Sequence, residues 1–155
     1  MSLEAKVVPL DSPLKMMIGD LKRVAGNKSQ AHPWVIKFLA DSTNNCPTIV
    51  EFSQIWLQGS VKTSMNDSDS IVLTDGSGDV KVTKCARVPG DRSWIKAGAY
   101  CGIFACVKKL SLSSPEVEAI KVMDLCEMKN DAQNMWPSEV QELIHFLRGS
   151  ITFQL

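Results

Sequence analysis

Histidine is scarce in this chain, with only two in 155 residues, and that alone removes most hydrolytic chemistry. A Ser-His-Asp or Cys-His arrangement would have to use His32, in a turn before Pro33, or His145, inside a run of helical spacing. The five cysteines, Cys46, Cys85, Cys101, Cys106 and Cys126, are odd in number and form no C-x-x-C pair beside clustered histidine. They read as reduced thiols serving as small apolar side chains. No Walker-type loop is present either: Asp75-Gly-Ser-Gly-Asp79 lacks the lysine and helix a phosphate cradle uses, and reads as a hairpin turn. The carboxylates Glu116, Glu118, Asp124 and Glu127 are strung along one segment and do not pair across a pocket. We therefore expect no enzyme, no metal and no cofactor.

Charge of one sign is missing as well. Seventeen basic residues face seventeen acidic ones, so no net field draws the chain to phosphate, and autonomous DNA binding is disfavoured. Balance constrains the sum and leaves the distribution open. No apolar run approaches the ~20 residues of a membrane span, and the start has no signal-peptide pattern. The expectation is a soluble, intracellular protein without membrane contact.

What is present is an ordinary globular composition, 45% hydrophobic and 22% charged, in one stretch without repeats or sharp compositional breaks. Ser12-Pro13 supplies a cap and a first-turn proline, with Leu14, Met17, Ile18 and Leu21 at helical spacing, which predicts a helix over about 12–25. The island Trp34 to Leu39 fits a strand or a helical turn. Ile55, Leu57 and Val61 then alternate with polar neighbours in a long strand over about 49–64. Ile71–Thr74 and Val80–Thr83 follow as hairpin strands, Pro89–Gly98 as a connector, Tyr100–Val107 as a fourth strand and Val117–Leu125 as a fifth. Ser138-Glu-Val-Gln141 matches a capping box, and Val140, Leu143, Ile144 and Leu147 form a stripe ending at Gly149, giving a helix over about 138–148. The fold class is thus all-β with flanking helices: residues 1–155 as a single OB-fold domain, its five-stranded barrel at about 49–127, with an N-terminal and a C-terminal helix. An SH3-like barrel is the nearest rival.

If Ile55, Leu57 and Val61 face inward, Trp56 points outward and needs a cover, from its own helix or from a partner. Trp136, read as lying in the linker before the last helix beside Met135 and Pro137, poses the same question, and a partner is favoured there. Trp56, Tyr100 and Phe104 near Lys62, Lys81 and Lys84 keep a single-stranded-DNA platform open as the alternative. Phe104, in a strongly apolar run, is expected in the core. Phe146, with Ile151 and Phe153, adds apolar surface suited to contact with another OB-fold.

Three segments, Ile55-Trp-Leu-Gln-Gly59, Leu73-Thr-Asp-Gly-Ser-Gly-Asp79 and Glu118-Ala-Ile-Lys-Val-Met-Asp-Leu125, with Trp136 beyond them, resemble the RecQ-mediated genome instability protein 2 family from about Ser12 to Leu147. The ends of the chain also look like those of the middle subunit of replication protein A. The resemblance implies a non-catalytic nuclear subunit that heterodimerises with the C-terminal OB-fold of RecQ-mediated genome instability protein 1. Through it the subunit would reach a RecQ helicase and topoisomerase III, for double Holliday junction dissolution. It also implies little or no direct DNA binding, and a peptide of the Fanconi anaemia group M protein as a possible further partner. Carried over residue by residue, the partner contacts fall on Lys15, Trp56, Lys121 and Trp136. A further lysine of the family is replaced here by Ala99, and the chain departs from the family before Ser12 and over Asn27–Pro47.

Overall fold

Residues alternating between interior and surface dominate the middle of the chain, and each such run is a strand. A computed structural model describes residues 5–39, 46–65, 69–110 and 115–149. The barrel strands are β6 (Ile55–Met65), β7 (Ser70–Thr74), β8 (Asp79–Thr83), β9 (Tyr100–Lys109) and β10 (Glu116–Asp124). They hydrogen-bond in the order β6-β7-β8-β10-β9, and β9 returns to β6 to close the cylinder. Only β8–β10 is parallel within that ring. A meander of three strands, a crossover and an antiparallel closing pair make the OB topology.

The strand expected over about 49–64 is two strands, β5 (Thr48–Phe52) and β6, separated at Ser53-Gln54. The reason lies in phase. Thr48, Val50 and Phe52 are buried, and so are Ile55, Leu57 and Val61; no uninterrupted period-two strand can bury both sets, so two residues must switch the face. β5 therefore joins a second sheet, β1 (Lys6–Pro9), β5, β4 (Trp34–Phe38) and β3 (Ala25–Gly26), in the order β1-β5-β4-β3. This settles Trp34–Phe38 as a strand. It also gives structure to the segment before Ser12, since β1 runs parallel to β5. Ile36, Phe38, Val50 and Phe52 join the barrel residues in one continuous core cluster.

The helix expected over about 12–25 does not form. Leu14–Lys15 is a short strand, β2, and Ile18–Arg23 is a six-residue 3-10 helix. The lower half of β6 leaves one edge open below β7, and the segment is captured there: the N–H groups of Leu14 and Met16 donate to the carbonyls of Gln54 (2.9 Å) and Trp56 (3.2 Å). Burial then falls on Leu14, Met16, Ile18, Leu21 and Val24, period two followed by the period three of a 3-10 turn.

The C-terminal helix exists but is longer than about 138–148: α1 spans Lys129–Gly149, with Pro137 inside it. Proline removes one donor, and where it is exposed the freed carbonyl one turn back can be met by water. The capping-box pattern at Ser138 therefore marks no start. Trp136, Val140, Ile144 and Leu147 are the buried stripe of α1. The expected apolar residues Ile151 and Phe153 lie outside the described residues.

Candidate protein-docking face

Four adjacent strands bring the sequence-predicted residues into one row. Lys15 on β2 is opposite Trp56 on β6, Trp56 is opposite Phe104 on β9, and Phe104 is opposite Lys121 on β10. Because Ile55, Leu57, Ile103 and Ala105 fill the barrel, the side chains between them point out. The row is two aromatic rings flanked by two ammonium groups.

Trp136 completes it from above. Its ring lies 5.7 Å from Trp56 at a 45° tilt, and Phe104 meets Trp56 edge-on at 4.9 Å and 73°. Lys15 Nζ sits 4.8 Å from the Trp56 centroid and 5.9 Å from Trp136, with Glu139 Oε1 at 3.8 Å. Lys121 Nζ lies 5.8 Å from the Phe104 ring. Such cation–ring contacts contribute about 0.5–1 kcal/mol at exposed positions. The two indole N–H groups are enclosed without an acceptor among the described residues, so packing, not hydrogen bonding, holds the cluster. Gly102 makes room for it: a Cβ there would lie 2.9 Å from Met123 Cε and 3.5 Å from Trp56 Nε1.

The structure therefore gathers all four expected residues while assigning them unequal places. Trp56 is half-buried and Lys121 exposed, as their strand phase requires. Trp136 is 1% exposed and lies within α1, not in a linker. It cannot present its ring to a second protein; it supports Trp56 from beneath the helix. Phe104 was expected in the core and is instead half-buried on the outer face. Period two already contained that answer, because Cys101, Ile103 and Ala105 claim the interior. Tyr100 is no platform, being 3% exposed with its hydroxyl donating to Gln58 Oε1 at 3.2 Å. Burial pushes its phenol up to about 12. Ala99, at the position of the missing lysine, is buried.

The elements that carry the row, and the turn before α1, also carry exposed apolar side chains. Ile120, at the bulge where β10 shifts register against β9, is 43% exposed, and Met128, Met135 and Phe146 are each more than half exposed. Phe146 stands on the flank of α1, apart from the buried stripe. Sequence spacing marks Met135 beside Trp136 but does not single out Ile120 or Met128, since a bulge leaves no local signature.

The opposite side of the barrel differs. In OB-folds the face of the second and third strands takes oligonucleotides; here those are β7 and β8, which carry no aromatic residue. Lysines near that face are matched by acids, Lys62 with Asp79 at 2.8 Å and Lys81 with Glu116 at 3.7 Å; Lys108 and Glu118, on β9 and β10, pair at 3.2 Å. The Lys62 hydrogen bond holds the Asp79 carboxyl below its usual range. No group of three or more His, Cys, Asp or Glu side chains able to hold a metal occurs among the described residues, and no helix there is long and apolar enough to cross a membrane.

Comparison with known proteins agrees with this geometry. The family described as RecQ-mediated genome instability protein 2 matches residues 12–144. A mouse protein named RecQ-mediated genome instability protein 2 is 28% identical over 136 residues, covering 88% of this chain and 85% of the relative. Among solved structures, a replication protein A heterotrimer bound to single-stranded DNA contains a chain similar in fold, with a TM-score of 0.58 and 12% identity over 89% of this chain and 98% of that one. The telomere capping protein Ten1 of Saccharomyces pombe gives 0.52 and 14% over 84% and 99%. At these identities the two structures establish the OB-fold alone.

Proposed function

The chain belongs to the RecQ-mediated genome instability protein 2 family, and from that premise we propose that it is a non-catalytic docking subunit that heterodimerises with RecQ-mediated genome instability protein 1. In this reading it pairs with the C-terminal OB-fold of that protein and stabilises the RecQ helicase–topoisomerase III complex in the nucleus, where the complex dissolves double Holliday junctions. The paired subunits present a surface to a Fanconi anaemia group M peptide. A genome-stability role and an interaction-type OB-fold are the common ground of family and fold.

The observation that carries the proposal is the Lys15–Trp56–Phe104–Lys121 row. Aromatic rings are what the centre of a protein interface enriches, within a polar rim. The matched lysines near β7 and β8 weigh against the alternative of a single-strand-binding subunit, because an ion-paired lysine adds little field to attract phosphate. The deciding experiment is affinity measurement between the purified chain and RecQ-mediated genome instability protein 1. Trp56→Ala should weaken the pair while the isolated variant keeps its strand signal; co-purification at wild-type strength would refute the assignment of this face.

A further inference from the structure

The turn Asp75–Gly78 does more than join β7 to β8. The Ile18 N–H donates to Asp75 Oδ2 and the Gly19 N–H to Ser77 Oγ, both at 2.8 Å. Asp75 in turn fixes Ser77, whose N–H and hydroxyl both donate to Asp75 Oδ1, at 2.9 and 2.6 Å. The backbones are in contact: a Cβ on Gly19 would lie 2.8 Å from the Ser77 carbonyl oxygen. These amides open the 3-10 helix and have no partner within it, so a turn nearly sixty residues away supplies the capping that a local Ser or Asp usually provides.

Lys15 stands just upstream of that clamp, on a strand of only two residues. Two backbone bonds to β6 hold that strand from one side, and the clamp holds the chain as it leaves. We infer that Asp75 and Ser77 are positioning residues of the docking face: by clamping Ile18 and Gly19 they keep β2 on the edge of β6 and Lys15 over Trp56. This rests on the partner-binding reading of the row, and the test separates the two.

Amide hydrogen exchange on the full chain, and its affinity for RecQ-mediated genome instability protein 1, are to be measured for Asp75→Ala and Ser77→Ala. Ser77→Thr serves as the conservative variant that keeps the acceptor hydroxyl, and Lys15→Ala as the reference. The alanine variants should accelerate exchange at Ile18 and Gly19 by about tenfold or more while β9 and β10 stay protected. They should weaken the partner by a factor close to that of Lys15→Ala, and Ser77→Thr should retain most of both. Unchanged exchange at Ile18 and Gly19 overturns the clamp whatever the partner does, as does loss of protection throughout β9 and β10, which would mark a role in the whole fold. Faster exchange with undiminished affinity, where Lys15→Ala does weaken binding, overturns the positioning role. Lys15→Ala without effect removes the partner reading and the positioning role with it.

Discussion

Two sides of one small barrel use lysine differently. Near β7 and β8, Lys62 and Lys81 each meet a carboxylate. Across β2, β6, β9 and β10, Lys15 and Lys121 lie against aromatic rings; Lys15 also meets Glu139 at 3.8 Å, whereas Lys121 has no carboxylate partner among the described residues. A carboxylate cancels an ammonium charge, whereas a ring steers it and leaves it intact. The overall neutrality of the chain conceals this, because composition fixes the sum of charges and says nothing of their arrangement. One side is electrically quiet and polar. The other sets Lys121 beside half-buried aromatic rings and exposed apolar side chains, and exposed apolar surface marks a place for a folded partner.

The contrast breaks most severely at its support. Trp136→Ala removes a 1%-exposed side chain from between α1 and the row, and should cost about 3–5 kcal/mol by urea unfolding. Partner affinity should fall with it because Trp56 loses its backing. Trp56→Ala should act on binding first, weakening the heterodimer by about 2 kcal/mol or more, with a smaller stability loss. Lys81→Ala, on the quiet side, should leave the same affinity unchanged by calorimetry. Equal effects from Trp56→Ala and Lys81→Ala would erase the distinction between the two sides.

Much of this arrangement was legible in the residues. Alternation over Ile55–Val61 placed Trp56 outside, and applied with the same rigour to Cys101–Ala105 it places Phe104 there too. What escaped was decided at a distance. Leu14, Met17, Ile18 and Leu21 fit a helix as well as any sequence can, yet an open strand edge at Gln54–Trp56 and the turn at Asp75 compete for the same amides and win. Ser138 and its neighbours carry a sound start signal, but docking of Trp136 one turn earlier extends the helix through Pro137. The second sheet depends on the pairing of Lys6–Pro9 with Thr48–Glu51, a contact between segments some forty residues apart. Lys15 and Lys121 enter the row through family resemblance and Trp56 through strand phase, while Phe104, expected in the core, joins it only in the folded chain.

The quiet side can also be converted. Replacing Asp79 and Glu116 with their amides leaves Lys62 and Lys81 uncompensated without altering shape. The double variant should acquire weak binding to labelled single-stranded DNA, with a dissociation constant of roughly 0.1 mM or tighter at low salt and a steep loss on adding salt. Partner affinity should stay at its original value. Absence of any gain would mean that something other than paired charge keeps nucleic acid off this side.

The smallest expected effect concerns acid. The Lys62 hydrogen bond lowers the Asp79 pKa from its ordinary 3.8, so between that value and the folded one the unfolded chain holds the proton more tightly than the native chain does. Stability from this pair is then fully present above the unfolded pKa and lost as pH falls through the lowered folded value. The pair is exposed and screened by salt, so its contribution is a slight slope and not a transition. Comparing wild type with Asp79→Asn by denaturant unfolding from neutral pH down through the carboxylate range should show that slope in the first and a shallower one in the second. Indistinguishable slopes would mean that Lys62 and Asp79 are near each other without being energetically joined, and the neutralisation of that side would then rest on Glu116.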